Sequence, residues 1–329
     1  MIFEKIKLFV YKIFPSIKKY KLKRINKYLE PFGLEKYILN FNSFEENNDI
    51  KTLTYKKDIF YKTAYEKFKK VLELNFDSTD LHNFYYNSEW VKVHKFIPNP
   101  FTYTIGYYDS GINKLKYRSI SLYHELFHLA STNNEIIPAH CGFEINEENK
   151  SIGYALNEGY TDLLAERYFN EDIEDSYYEE AQFARSIERI IGRKKMEKLY
   201  LNADIIGLIN ELKKYYSIDE IEQFLINMDV ILQFRNQYLS TEEIININKL
   251  IEESICFLLK GFCKVINNSN CSMKNKNIQI FNFYRDIRIF YNFHDHEYEP
   301  NMEKIGKVIK ENLKEEMSMN LVQDYKLKK

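Results

Sequence analysis

Two histidines and a glutamate near the middle of the chain have the types and spacing of a metal site. The run SLYHELFHLAS (121–131) contains His124, Glu125 and His128 in an HExxH pattern. On a helix, residues four apart lie on one face, so both imidazoles can reach one zinc ion. Glu125 then sits one step around the helix, where a catalytic base would be needed. The pattern predicts zinc-assisted chemistry.

The alternative for these histidines is a pair of satisfied core residues on an amphipathic helix. A helical wheel argues against it. Leu122, Leu126 and Leu129 form the stripe that would anchor the helix to the core. At roughly 100° per residue, the two histidines lie roughly 140–220° away from that stripe. We therefore expect the imidazoles to have a task other than core packing.

A catalytic zinc needs a third protein ligand and one position left for water. The run GYALNEGYTDLLAERYF (153–169) offers Glu158 and Asp162, with Asn157 predicted as the N-cap of the helix that follows. One interpretation of Glu158 is an acid in the first helical turn that complements the helix dipole. The other makes Glu158 the third ligand, with Asp162 orienting a histidine through its free N–H. Like charges four apart favour the second, because they destabilise a helix unless a cation is near.

HELFH followed by NEGYTD resembles the gluzincin branch of the zincin metallopeptidases, the branch that includes thermolysin. The match covers about residues 101–169, and its spacing between the two motifs is longer than in thermolysin. The resemblance implies a zincin-like catalytic core, one Zn²⁺ per chain and a peptide or protein substrate. The site residues it implies are the zinc ligands His124, His128 and Glu158, the catalytic base Glu125 and the supporting carboxylate Asp162.

The resemblance also implies the reaction, which is peptide-bond hydrolysis by a zinc-activated water. Glu125 would take the proton of that water and pass it to the leaving amine. A hydrogen-bond donor should stabilise the oxyanion. Tyr154 is predicted for this role, because it lies on the approach to Glu158. The other candidates are Tyr160, His140, His294 and His296.

Two other functions stay open. A non-proteolytic zincin-fold protein would act as a binding or regulatory module, although such a module has no need of the base at Glu125. A purely structural helical protein is the third possibility.

The elements that must position these residues are mainly helical. The chain has only 10 glycines and 6 prolines in 329 residues, so long helices are favoured. Apolar periodicity predicts helices over 178–200, 218–234, 242–262 and 302–321, and over 160–168 beside Glu158. Polar composition predicts loops over 40–57 and 267–277. Alternation predicts one β-hairpin from 101–108 and 114–120 and a second from 141–146 and 150–156. The fold class expected is α+β, predominantly helical, with a small mixed β-sheet.

Composition restricts the remaining possibilities. The 47 basic and 48 acidic residues give a net charge of −1, which argues against nucleic acid as a partner. Residues 1–30 form a basic amphipathic segment that could contact a membrane surface peripherally, although packing on its own domain is the commoner use. No secretory signal or membrane span is apparent, so the expected location is cytoplasmic. The free thiols expected there are Cys141, Cys256, Cys263 and Cys271. The domain regions predicted are 1–95, 96–240 and 241–329, unless they form one continuous domain.

Overall fold

The computed structural model describes residues 59–95, 106–117, 121–135, 140–147, 150–171, 177–234, 240–287 and 301–313. The helices in these ranges are α1 (Ile59–Asn75), α2 (His82–Trp90), α3 (Leu122–Ala130), α4 (Tyr154–Phe169), α5 (Tyr178–Ile191), α6 (Arg193–Leu201), α7 (Ile205–Leu212), α8 (Ile218–Phe234), α9 (Thr241–Asn267), α10 (Met273–Ile287) and α11 (Met302–Asn312). The strands are β1 (Lys92–Lys95), β2 (Tyr107–Asp109), β3 (Lys114–Tyr117), β4 (Thr132–Asn133), β5 (His140–Cys141), β6 (Glu144–Glu147) and β7 (Lys150–Ile152). No helix in these ranges combines the length and apolarity needed to cross a membrane.

The predicted α+β class with a predominance of helix is confirmed, and so is the small mixed sheet. That sheet has the strand order β1-β3-β2, with β1 parallel and β2 antiparallel to β3. The strands β2 and β3 form the hairpin predicted from the first alternating pattern, but β2 begins at Tyr107, after Gly106, and ends at Asp109, one residue past the predicted end. Val93 lies opposite Leu115 in the register, and both are buried, so one face of the sheet faces the core.

A second, antiparallel sheet has the order β4-β5-β6-β7. It contains the second predicted hairpin as β6 and β7, with two corrections. The strand predicted over 150–156 ends at Ile152, because Gly153 adopts a left-handed conformation (φ 80°) and α4 begins at the next residue. The strand predicted over 141–146 is broken at Gly142 (φ 52°). Glycine adopts such positive φ angles without steric cost.

The helix predictions are confirmed for 218–234 and 242–262, and Ser240 and Glu243 form a capping box at the start of α9. The single helix predicted over 178–200 is wrong: Gly192 (φ 96°) divides it into α5 and α6. The predicted loop over 267–277 is also too long, since α10 begins at Met273. The tail helix is confirmed as far as Asn312. The predictions for residues 1–30, 40–57, 101–105, 118–120 and 314–321 lie outside the described residues.

One compact unit contains the described part of Met1–Ile152 together with Lys198–Ile206. Helix α3 lies at its centre, and its predicted leucine stripe is confirmed, since Leu122, Leu126 and Leu129 are at most 1% exposed. On another side of α3, the rings of Phe68 and Phe127 pack edge to face with centroids 4.9 Å apart. The α3 helix is therefore held by apolar contacts on more than one face.

A second compact unit contains Gly153–Glu197 and the described part of Gly207–Lys329. Its helices α4 and α5 pack very closely, because a Cβ atom at Gly159 would lie 2.2 Å from the backbone carbon of Glu180. Farther along, the rings of Phe224 and Phe257 stack with centroids 4.3 Å apart and join α8 to α9. The three predicted domain regions stay a prediction.

Candidate metal centre

The two histidines of the HExxH pattern converge on α3. Their Nε2 atoms are 2.9 Å apart, and the rings meet at 72° with centroids 4.7 Å apart. His128 is 6% exposed and Glu125 is 4% exposed, whereas His124 is partly exposed. Two imidazole lone pairs cannot face each other at this distance without a shared proton or a cation. The pair is therefore arranged either to share one proton in a hydrogen bond or to hold a cation.

The second sheet fixes the C-terminal end of α3, and with it His128. The Thr132 hydroxyl donates to the His128 carbonyl at 2.7 Å, and the backbone N–H of Gly142 donates to the Ser131 carbonyl at 2.8 Å. Asn87 of α2 donates to the Leu129 carbonyl at 2.8 Å. These bonds satisfy carbonyls that a helix end leaves without intrahelical partners. As a result the last turn of α3 has a fixed position.

Glu158 lies on α4, but not where the sequence placed it. The helix starts at Tyr154, so Asn157 is an interior residue rather than the predicted N-cap, and Glu158 is in the second turn. Asp229 caps the helix instead, accepting the N–H groups of Gly153 and Ala155 at 2.8 Å each. The helix dipole therefore has its own counter-charge. This removes the support for the interpretation of Glu158 as a first-turn acid.

His124, His128 and Glu158 each offer one ligand atom, and these atoms all lie within 4.8 Å of one another. Among the described residues this is the group of three His, Cys, Asp or Glu side chains that meets that criterion. Two imidazoles and one carboxylate form a donor set used by catalytic zinc. On a tetrahedral zinc, two imidazole nitrogens would be about 3.3 Å apart. The observed 2.9 Å between the Nε2 atoms needs only a small opening to match it.

Asp162 is buried one turn beyond Glu158, and one of its contacts is with a residue that the sequence did not single out. Its Oδ2 accepts the backbone N–H of Tyr177 at 3.2 Å, just before α5. The negative charge of Glu158, followed by burial, raises the pKa of the Tyr177 phenol. Tyr177 thus adds a neutral hydroxyl beside the predicted ligand. The role of Asp162 in orienting a histidine stays a prediction.

The candidates for oxyanion stabilisation differ in their surroundings. Tyr154 is 37% exposed, and its hydroxyl lies 3.5 Å from that of Tyr177. Tyr160 is fully buried, and its hydroxyl donates to Glu188 at 2.9 Å. The Tyr160 hydroxyl therefore already has a partner in the interior of the second unit. His140 is 9% exposed, and burial lowers its pKa to about 4. The remaining candidates, His294 and His296, lie outside the described residues.

No family model matches the chain, and no curated protein or solved structure is detectably similar to it. Function has to be inferred from the side chains themselves, because a fold alone does not specify an activity.

Two neighbours of the HExxH residues were missed from the sequence. The Cys141 sulfur lies 3.5 Å from Nδ1 of His128. Gly106 lies against Glu125, since a Cβ atom there would be 2.7 Å from Glu125 Oε1. A glycine inside an alternating strand pattern, as in FTYTIGYY, is a recognised mark of close approach. Nothing in the local sequence of Cys141 indicates its contact, because it depends on the pairing of β4 with β5.

Proposed function

We propose that the protein is a zinc-dependent metallopeptidase that holds one zinc ion through His124, His128 and Glu158. The observation that supports this most is the approach of the three ligand atoms to within 4.8 Å. The donor set also supports it: two neutral imidazoles and one carboxylate leave a bound Zn²⁺ with a net positive charge. Such a charge suits binding of a carbonyl oxygen.

Glu125 is the proposed general base. It lies on α3 between the two histidines and is 4% exposed, so its carboxylate is held in a largely water-free environment. Bound zinc would supply Lewis-acid chemistry, polarising a carbonyl and making water nucleophilic near neutral pH. Glu125 accepts the proton of the attacking water and delivers it to the leaving amine. Tyr154 donates a hydrogen bond to the oxyanion in this proposal.

The strand next to Glu125 supports a peptide as the substrate. In the described part of the first sheet, β2 is an edge strand, and Gly106 immediately precedes it. The edge of a sheet can bind an extended peptide through main-chain hydrogen bonds. Because Gly106 lies against the Glu125 carboxylate, a peptide bound along this edge would pass close to the base.

The test is zinc content combined with cleavage of a diverse peptide library by the full chain. We expect one zinc per wild-type chain, weaker zinc binding in His124→Ala and Glu158→Gln, and unchanged binding in Glu125→Gln. The last variant should lose at least about 100-fold in cleavage rate, because it lacks the base. Glu166→Gln is the matched control on α4: its side chain is 43% exposed and pairs with Arg185. It should behave as wild type.

Two outcomes would overturn the proposal. If wild-type protein took up no zinc on reconstitution, the proposed metal site would be wrong. If zinc-loaded protein cleaved no library peptide, and Glu125→Gln were indistinguishable from wild type, the proposed peptidase activity would be wrong. If that second result came with recovery of one stoichiometric partner, it would favour the non-proteolytic zincin-fold module instead.

A further inference from the structure

We infer that Cys141 is a positioning residue for His128: its sulfur accepts the Nδ1–H of His128 and so keeps Nε2 as the nitrogen that binds metal. The inference rests on the proposed zinc site for its function, but the contact itself belongs to the first unit alone.

The geometry gives the thiol two contacts with the same histidine. The Cys141 sulfur is 3.5 Å from His128 Nδ1 and 3.6 Å from the His128 carbonyl oxygen. A thiol is both a weak donor and a weak acceptor. The carbonyl oxygen can only accept, so the S–H points to it, and the sulfur lone pairs are left for the Nδ1–H.

The backbone holds the thiol in this place. Cys141 is paired with Thr132 across β4 and β5, and the Thr132 hydroxyl bonds to the same His128 carbonyl at 2.7 Å. The residue after Cys141, Gly142, donates its N–H to the Ser131 carbonyl at 2.8 Å. Cys141 is 5% exposed, so water has little access to compete for the imidazole. The sheet fixes the Cys141 backbone, so a single side-chain torsion, χ1, sets the position of the sulfur.

The consequence is a choice of tautomer. A neutral imidazole carries one N–H, and a proton on Nδ1 leaves the Nε2 lone pair of His128 directed at Nε2 of His124, 2.9 Å away. Histidines that bind metals usually donate their other N–H to a carboxylate, a carbonyl or water. Here the acceptor is a thiol on the Nδ1 side of the ring. Because it lies on that side, Cys141 acts through His128 and is not itself a ligand.

The test reads the tautomer directly. In metal-free, ¹⁵N-histidine-labelled full-length protein, long-range ¹H–¹⁵N correlation spectra should show His128 protonated on Nδ1. In Cys141→Ala this preference should shift toward Nε2, and the dissociation constant for zinc should rise about tenfold or more. Cys141→Ser retains a donor and acceptor and should recover part of both effects. Cys263→Ala, which removes a second buried thiol, on α9, is the matched control and should change neither.

The results separate this inference from the proposed function. A wild-type His128 that carries its proton on Nε2 would overturn the inference. So would equal zinc affinity in Cys141→Ala and Cys263→Ala. If wild-type protein bound no zinc, the proposed function would fail, while the tautomer of His128 would still decide whether Cys141 positions the ring. Should Cys141→Ala not fold, Cys141→Ser provides the same two readouts.

Discussion

A Cβ atom on Gly106 would lie 2.7 Å from Oε1 of Glu125. The same atom would lie 2.6 Å from the Ser121 hydroxyl and 3.1 Å from the Lys116 carbonyl. The backbone leading into β2 therefore touches the carboxylate that we propose as the general base. A larger residue cannot share this space unless the side chains of Glu125 and Ser121 both move.

Gly106→Ala should separate zinc binding from catalysis. The added methyl group meets the Glu125 carboxylate, whereas no atom of His124 or His128 is among the three heavy atoms nearest to it. A catalytic group displaced by about 1 Å loses about 100-fold in rate, so we expect the peptidase kcat to fall by that order. Zinc content, measured by mass spectrometry on the same samples, should stay at the wild-type value.

Gly111→Ala is the control for this substitution. It lies in the turn that follows β2, where a Cβ atom would have only an ordinary contact of 3.4 Å with Asp109. We expect its kcat to stay within about twofold of wild type, since the turn does not touch the base. If kcat fell equally in both alanine variants, a general disturbance of the hairpin would explain the loss. The proposed specific role of Gly106 would then be wrong.

Two tyrosines on α4 should respond differently to removal of their hydroxyl groups. Tyr154→Phe removes the partly exposed hydroxyl proposed as the oxyanion donor, so kcat should fall about 100-fold with zinc content unchanged. Tyr160→Phe removes the buried hydroxyl that bonds to Glu188, so it should lower thermal stability and leave kcat near wild type. Steady-state kinetics and thermal melts of both variants test this. A larger kcat loss in Tyr160→Phe would reverse the assignment.

The features that the sequence predicted well depend on local periodicity. The leucine stripe of α3 and the convergence of His124 with His128 follow from residues three and four apart on one helix. The bounds of α8 follow from the same rule. The two hairpins were visible as alternation interrupted by polar turns. In each case all the interacting residues lie within about 20 positions of one another.

The features that were missed depend on glycine conformation or on distant partners. Asn157 looked like an N-cap, but Gly153 starts the helix and Asp229, 76 residues from Gly153, caps it. The break at Gly192 requires a positive φ that a glycine in an otherwise helical pattern does not reveal. The contact of Cys141 with His128 exists only because β5 returns to the end of α3. Sequence spacing does not show which strands pair, so it could not predict this contact.

Arg167 of α4 belongs to a buried network of charged side chains. It donates to both oxygens of Glu188, at 2.7 and 2.8 Å, and to Glu197 at 2.9 Å. The two carboxylate side chains are 9% and 6% exposed. Arg167→Met leaves Glu188 without this counter-charge and Glu197 with Arg193 alone, so we expect the free energy of unfolding to fall by about 3–5 kcal/mol. Urea denaturation at neutral pH measures this change.

Arg185→Met provides the comparison, because Arg185 of α5 pairs with Glu166 of α4 at the surface. The side chains of that pair are 41% and 43% exposed. Exposed pairs contribute about 0–1 kcal/mol, so this variant should lose much less stability than Arg167→Met. Equal losses would show that the burial of the Arg167 network contributes nothing extra.

His140 should make folding stability depend on pH below neutrality. Burial lowers its pKa to about 4 from an ordinary value of 6.5, and within the described residues its Nε2 has no hydrogen-bond partner. Between these two values the unfolded chain binds a proton that the folded protein excludes. Stability therefore rises with pH from about 4 to 6.5 and is fully present above that range.

His140→Gln isolates this contribution, because glutamine does not titrate. The shift in pKa predicts that wild type loses about 2 kcal/mol more than His140→Gln between pH 7 and pH 5. Urea denaturation of both proteins at the two pH values gives the difference, and the carboxylates common to both cancel. His82, whose side chain is 61% exposed beside Glu135, supplies the control. His82→Gln makes the same histidine-to-glutamine change at an exposed position. A His140→Gln profile parallel to wild type would mean that the folded protein accepts a proton at His140 as readily as the unfolded chain does.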